Sequence, residues 1–281
     1  MKKLKKLKKL PKYILLAAIA AFFLFPVIYM LAMSVMTSEE VSRILDFSSD
    51  GFKSIDLIPQ VFSLEQYYQV FFRRADYLLE FWNSIIITVP TVIGQTVVCA
   101  LAAFAFGKLE FPGRDKLFFV YIILLILPTQ VTLVPNYIVL NNMGLLNSFL
   151  AVILPGMFSA FGVCLLRQSV RYIPDAFIEA ARMDGASYIN IFLKIILPQI
   201  KGGLVTLFLL CFIDNYNLIE QPLAYFNDSE KYPLAVTMSE IGVNDAGIVF
   251  ACGVMFMIPP LLIYYIGQDD VSSPFTLSDK G

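Results

Sequence analysis

The chain contains no histidine. Imidazole is thereby removed as metal ligand, general base and proton relay, which excludes HExxH zinc sites and Ser-His-Asp arrangements. Cysteine is scarce: Cys99, Cys164, Cys211 and Cys252 each fall in an apolar run and never in a Cys-x-x-Cys pair, so packing is their expected role. Charged residues make up only 15% of the 281. A Walker A motif is also missing. Its nearest approach ends in Gly107-Lys108, with Ala102 in place of the first glycine and Leu109 in place of the Ser/Thr, so no nucleotide hydrolysis is expected from this chain.

What remains is apolar. The chain is 58% hydrophobic and 14% aromatic, with a mean hydropathy of +0.72, too apolar for a water-soluble domain and long enough for several membrane spans. A polytopic all-α membrane protein in the lipid bilayer follows. The formal net charge of -1 gives no reason to expect a nucleic-acid partner.

Seven lysines crowd the first 12 residues, followed by an apolar run over 13–36. A bilayer core of about 30 Å needs about 20 helical residues, so this run spans. It is longer than a signal-peptide core and no convincing small-x-small cleavage site closes it, so it reads as an uncleaved first helix. Residues 37–82 turn polar and acidic, with Asp46, Asp50, Asp56, Glu65, Asp76 and Glu80, and are placed outside. Within them Ser63 is positioned to cap a short helix carrying Tyr67, Tyr68, Phe71 and Phe72 on the outer membrane surface. Further spans are expected from 83 to 106, 117 to 140, 149 to 166, 202 to 220 and 246 to 267, with a tail over 268–281. Under this six-span topology 16 of the 21 Lys and Arg residues lie on one side, which makes that side and both termini cytoplasmic.

The polar interruption at 168–201 breaks this pattern. Pro174 and Asp175 suit a helix start, and Phe177, Ala180, Ala181 and Asp184 recur at helical spacing to form a small, weakly apolar face flanked by Glu179 and Arg182. Gly185 permits the positive φ that closes a helix, Ser187 can cap the next one, and Pro198 sits where the chain turns back to the bilayer. The pattern Glu179-Ala180-Ala181, three residues, Gly185, nine residues, then Ile195-x-Leu197-Pro198 resembles the cytoplasmic loop of ABC importer permeases at all seven fixed positions.

The resemblance extends along most of the chain, and narrows to the carbohydrate-uptake branch, similar to the maltose-type second permease. It rests on Leu127-Pro128, Val134-Pro135, Asn141 to Leu146, Ile153-Leu154-Pro155, Phe161-Gly162 and Leu165-Leu166-Arg167-Gln168. Asn217 and Pro222 match a recurring Trp-Asn and Pro pattern, with Tyr216 where tryptophan is usual. The acidic Asp269-Asp270 departs from the basic tail usual in the family, and leaves a tail contact with the ATPase in doubt.

The resemblance implies a type I importer permease fold of six spans with a cytoplasmic coupling helix in a bacterial cytoplasmic membrane. Its implied partners are a sister permease forming a heterodimer, two ATPase subunits, and an extracytoplasmic solute-binding protein or lipoprotein. ATP and Mg would be held by the ATPase, with no cofactor on this chain. Glu179, Ala180, Ala181, Arg182, Asp184, Gly185 and Pro198 are the implied ATPase-coupling residues. The outer segment before residue 83 is then either a docking place for the binding protein or a solvated linker.

For the solute path the residues themselves are the guide, since a carboxylate at the bilayer centre costs at least about 2.5 kcal/mol unless it faces protein or water. Asp214, Asn215, Asn217, Glu220 and Gln221 form the densest polar group, and on one helix Asp214, Asn217 and Gln221 would share a face. With Tyr216 and Tyr225 nearby, such a lining suits sugar hydroxyls. Hydrogen bonding to a sister subunit is the other reading of the same residues. Gln130 and Asn136, with Thr129 and Thr132, are a second candidate lining. Proline-kinked spans are expected at Pro128, Pro135, Pro155 and Pro259-Pro260. An ion-coupled secondary transporter is the rival from another class, but it favours inverted repeats and paired intramembrane ionisable groups, which are not evident here. A permease for a non-sugar solute is the nearer alternative.

Overall fold

The computed structural model describes residues 10–45, 57–74, 76–241 and 246–272. The basic stretch over 1–9, the acidic positions 46, 50 and 56, and the end of the tail over 273–281 lie outside the described residues. Among the described residues every regular element is helical. By contact the chain divides into two compact units, one of Met1–Leu78 with Thr237–Met257 and one of Leu79–Val236 with Ile258–Gly281.

In the first unit α1 (Leu10–Ser34) is a continuous apolar helix, followed by α2 (Ser38–Leu45). Met33, Met36 and Val41 form a fully buried cluster, over which Tyr29 lays an edge-to-face contact on Phe250. The outer segment is folded onto this cluster by polar contacts. The Gln60 backbone N–H donates to Glu40 Oε1 at 3.0 Å, Gln66 Nε2 donates to Ser38 Oγ at 2.9 Å, and the Tyr67 hydroxyl bonds Ser34 Oγ at 2.9 Å. Ser63 Oγ accepts the Glu65 N–H at 3.1 Å, but the N-cap of α3 (Glu65–Tyr68) is Leu64, without a side-chain cap, and the helix continues as a π turn over Gln69–Arg73. That short helix buries Gln66 and Val70 and leaves Tyr68 and Phe72 exposed.

The second unit holds most of the remaining helices, the last one being shared between the two units at Met257. α4 (Asp76–Lys108) is 33 residues long, about 50 Å at about 1.5 Å per residue, and so overruns the bilayer core. Pro90 sits inside it without breaking it, and Ser84, Thr91 and Thr96 satisfy their hydroxyls on the carbonyls four residues back, as a lipid setting demands. The apolar run expected as one span over 117–140 is two helices, α5 (Arg114–Ile126) and α6 (Thr129–Asn142), meeting at 105°. The cause is local: Pro128 has no N–H to continue the first helix and stands extended (φ −63°, ψ 140°) before the second.

α7 (Leu150–Gly156) and α8 (Ala160–Arg171) make up the fourth span, and Ser159 Oγ caps α8 by accepting the Gly162 N–H at 3.0 Å. Gly162 has no room for a side chain, because a Cβ there would lie 2.7 Å from Cys99 Sγ and 3.0 Å from Leu207 Cδ1. The small residue lets α8 close on its neighbours, the usual packing device between membrane helices. Then come α9 (Asp175–Met183) and α10 (Tyr188–Gln199), and α10 meets α11 (Lys201–Tyr216) at 77°. α11 stops at Tyr216, so Glu220 opens a separate short helix, α12 (Glu220–Tyr225), instead of closing the fifth span.

α13 (Leu234–Glu240) and α14 (Ala246–Ser272) complete the chain. α14 runs five residues past Gly267, and Lys201 Nζ pairs with Asp270 Oδ1 at 2.9 Å. The acidic residues read as the start of a tail are therefore the last turns of a helix, held by the first residue of α11. Among the described residues four helices are long and apolar enough to cross a membrane, and up to six spans result if each bent pair counts as one.

Candidate functional site

The loop helix α9 is built as its residues require. Pro174 occupies the N-cap in extended conformation, and Asp175 stands in the first turn, where the helix dipole favours an anion. At the other end the Gly185 N–H donates to the Arg182 carbonyl at 3.0 Å and the Ala186 N–H to the Ala181 carbonyl at 2.9 Å, with Gly185 at φ +81°. That pair of bonds around a left-handed glycine is the Schellman closure. Ser187 then caps α10 by accepting the Asn190 N–H at 3.3 Å, and the Arg182 guanidinium lies 5.1 Å from the centre of the Tyr188 ring.

Almost all of α9 faces outward. Ile178 is its buried residue, whereas Phe177, Glu179, Ala180, Arg182, Asp184 and Gly185 are exposed, Ala181 is half-buried, and Met183 is 89% exposed. The small face read from the sequence is thus open, and the residue that fixes the helix to its own chain is Ile178, one position from the predicted stripe. Pro198 lies near the 77° turn from α10 into α11.

One contact ties this loop to α4, and a second, made by Arg167 of α8, braces the same end of α4. Lys108, the last residue of α4, has a side chain only 4% exposed, and its Nζ donates to the Ile173 carbonyl and to Asp175 Oδ1, the latter at 2.6 Å. Arg167 donates from Nε to the Phe106 carbonyl at 3.0 Å and lays its guanidinium 3.7 Å from the centre of the Phe118 ring. Sequence reasoning met Lys108 as the near miss of a nucleotide-binding loop and as one charge of the basic turn with Arg114 and Lys116 between the second and third spans, and gave it no contact of its own.

The polar residues of the presumed path separate into two groups. In the first, Asn215 Nδ2 donates to Gln95 Oε1 at 3.2 Å and to the Cys211 carbonyl at 2.8 Å, and Gly156 presses close beside Asn215 and Thr91. Gln95, 7% exposed in the middle of α4, was missed because one amide in a long apolar run carries no pattern. In the second, Gln130 Nε2 donates to Glu220 Oε1 at 3.1 Å, and the Asn136 side chain shares a hydrogen bond with the Tyr225 hydroxyl, which also donates to the Leu133 carbonyl. The two linings expected from the sequence are thereby joined at Gln130 and Glu220.

Two expectations are corrected. Asp214, Asn217 and Gln221 do not share a helical face, because the chain leaves α11 at Asn217, whose Nδ2 turns back to the Ile213 carbonyl at 2.7 Å. Asp214 is exposed, whereas Gln221 Oε1 is buried without a hydrogen-bond partner. Tyr216 and Tyr225 offer no open ring to a solute, being 1% and 2% exposed, and Tyr216 stacks on Phe212 instead.

Comparison with known proteins agrees with this architecture. A solved bacterial ABC transporter involved in the import of the acidic polysaccharide alginate contains a chain of the same fold, with a TM-score of 0.78 and 24% identity over 94% of this chain and 96% of that one. A probable ABC transporter permease protein of Pyrococcus horikoshii is 34% identical over 193 residues, 66% of this chain and 69% of the relative. The polygalacturonan/rhamnogalacturonan transport system permease protein YtcP of Bacillus subtilis is 30% identical over 79% of this chain and 74% of its own length. The sn-glycerol-3-phosphate transport system permease protein UgpE of Brucella melitensis is 29% identical over 87% of each. The model of the binding-protein-dependent transport system inner membrane component matches residues 66–272, and the chain belongs to that family of importer permeases.

Proposed function

We propose that this chain is the membrane-spanning subunit of an ATP-driven importer for sugars or oligosaccharides, coupled to a separate ATPase through α9. The observation that carries the reading is α9 itself, nine residues displayed outward with one side chain buried, entered through an extended Pro174 and closed by the Schellman turn at Gly185. A helix so exposed yet so fixed leaves most of its surface without a task within its own chain, and fits a cleft on a partner. Glu179, Ala180, Ala181, Arg182, Asp184 and Gly185 supply the docking face, and Pro198 helps set the turn that returns the chain to the bilayer.

The partners of this reading are two ATPase subunits, which hold ATP and Mg, a sister permease completing a heterodimer, and a binding protein or lipoprotein outside. The chain itself carries no cofactor and no catalytic residue. Both termini and α9 face the cytoplasm.

For the solute, Asp214, Asn215, Asn217, Glu220, Gln221, Gln130 and Asn136 provide carboxylate and carboxamide groups of the kind that recognise hydroxyls. Tyr216 backs this group from within the fold. Among the described residues of α6, α11 and α12 the one cation is Lys201, at the start of α11 and paired with Asp270. A lining with two carboxylates and no free cation favours neutral saccharides over phosphorylated or uronic ones, because an anion entering it meets like charge at low dielectric.

Co-expression of the chain with its neighbouring transport genes, detergent extraction, identification of what co-elutes and assay of ATP hydrolysis test the reading. Recovery of an ATPase, a second permease and a binding protein supports it. A chain that elutes alone and transports in liposomes without ATP overturns it in favour of ion-coupled transport.

A further inference from the structure

We infer that Lys108 is the positioning residue of energy coupling, the joint through which the loop helix α9 acts on the long transmembrane helix α4. The inference rests on the coupling role proposed for α9 and adds the route by which a push on that helix reaches the membrane.

The geometry is specific. α9 meets the remainder of its unit at two places, the buried Ile178 midway and the N-terminal turn at Ile173 and Asp175. Its C-terminal end is more open: nothing lies within 4 Å of a Cβ built at Gly185, Met183 is 89% exposed, and Arg182 leans on the Tyr188 ring of the helix that follows. A force applied to the outward face reaches α4 at the N-terminal turn, where a single ammonium, donating to a carbonyl and a carboxylate at once, binds the turn to the last residue of α4.

That last residue is itself braced. Gly107 lies against α8 so closely that a Cβ would stand 2.7 Å from Val170 Cγ1, and Arg167 of α8 holds the Phe106 carbonyl. Three consecutive residues, Phe106, Gly107 and Lys108, thus fix the end of α4 to α8 and to the start of α9. α4 in turn carries Gln95, which accepts from Asn215 of the candidate path. One rigid helix then connects the loop to the solute lining, with Lys108 at one end of the connection.

Lysine suits the place because its flexible stem runs within the packed interior while the ammonium reaches two acceptors of different type. A methionine of similar length keeps the packing and removes the joint. Arginine keeps the charge and both hydrogen bonds.

The test uses the whole complex, purified with its ATPase and sister subunit and placed in lipid, with Lys108→Met, Lys108→Arg and Asp175→Asn each compared with wild type. Two quantities are read: ATPase recovered per permease, and the stimulation of ATP hydrolysis by the binding protein as it purifies from its native host with solute bound. The expected result is that Lys108→Met recovers the ATPase within about twofold of wild type yet loses at least about fivefold of the stimulation, the lower range of a coupling effect. Lys108→Arg restores at least half of it, and Asp175→Asn falls between. Wild-type stimulation in Lys108→Met overturns the inference, and so does equal loss in Lys108→Met and Lys108→Arg, which marks a packing role only. Should Lys108→Met fail to accumulate, wild-type stimulation in the solvent-exposed Asp175→Asn overturns it equally. Failure of the wild-type chain to bind any ATPase sinks the coupling role of α9 instead, and is seen before any variant is compared.

Discussion

Lys108 Nζ stands 2.6 Å from Asp175 Oδ1, joining the last residue of one transmembrane helix to the first residue of the loop helix 67 positions later. The pair is lopsided: the lysine side chain is 4% exposed and the aspartate 75%. Removing the carboxylate leaves a buried ammonium with only the Ile173 carbonyl for a partner, whereas removing the ammonium leaves an aspartate that water can solvate.

This asymmetry predicts that Asp175→Ala destabilises the chain. The loss is about 1–2 kcal/mol, towards the lower end for charged hydrogen bonds because the aspartate side is open to solvent. Thermal unfolding in detergent checks this, with a midpoint lowered by about 2–4 °C per kcal/mol. An unchanged midpoint means that the carbonyl alone satisfies Lys108.

Gly185 separates backbone strain from docking. Its φ is +81°, and nothing lies within 4 Å of the position a Cβ would take, so a side chain there is limited by conformation and not by space. Asn and Asp both tolerate the left-handed region, at a cost well below the about 1–2 kcal/mol of an ordinary residue. Gly185→Asn is expected to keep at least half of the ATPase recovered in a pull-down, whereas Gly185→Asp, of the same shape but charged, inserts normally and uncouples. Equal behaviour of the two variants would show that this end of α9 meets no partner surface.

Asp214 is exposed near the end of α11, and its carboxylate makes no hydrogen bond with another described residue. Asp214→Ala is expected to leave ATPase docking at wild-type levels and to change uptake of some saccharides, with uronic oligosaccharides gaining relative to neutral ones as a negative charge leaves the lining. Radiolabelled uptake in cells, with ATPase pull-down as the control, reads both. Loss of docking would make the residue structural.

How far the residues announced this molecule depended on whether their signal was local. Apolar runs, proline and glycine act within a turn or two, so the spans, the Schellman end at Gly185 and the Ser187 cap were legible, and the motif from Glu179 to Pro198 placed the chain in its family. The breaks were harder. Pro128 marks a break but not its size, and the 105° between the two helices is not encoded in any local residue pattern. Likewise α11 ends at Tyr216 without proline or glycine to stop it, which undid the shared face expected of Asp214, Asn217 and Gln221. The contacts of highest consequence, Lys108 with Asp175 and Asn215 with Gln95, are 67 and 120 residues apart, and no periodicity encodes such pairs. Tyr216 and Tyr225 show the converse failure: an aromatic beside polar residues reads as a sugar platform, and only packing reveals that the ring is buried.

The central claim is that the exposed face of α9 receives a separate ATPase. Glu179→Lys tests it most directly, since the residue is exposed, makes no ion pair with another described residue, and reverses charge without disturbing the fold. The measurement is the amount of ATPase co-purified with the Glu179→Lys permease, relative to wild type, at matched membrane expression, together with uptake by the same cells. The account predicts normal insertion with uptake lost and ATPase recovery reduced several-fold. Wild-type recovery together with wild-type uptake would contradict it, and would return α9 to being a surface helix of structural value alone.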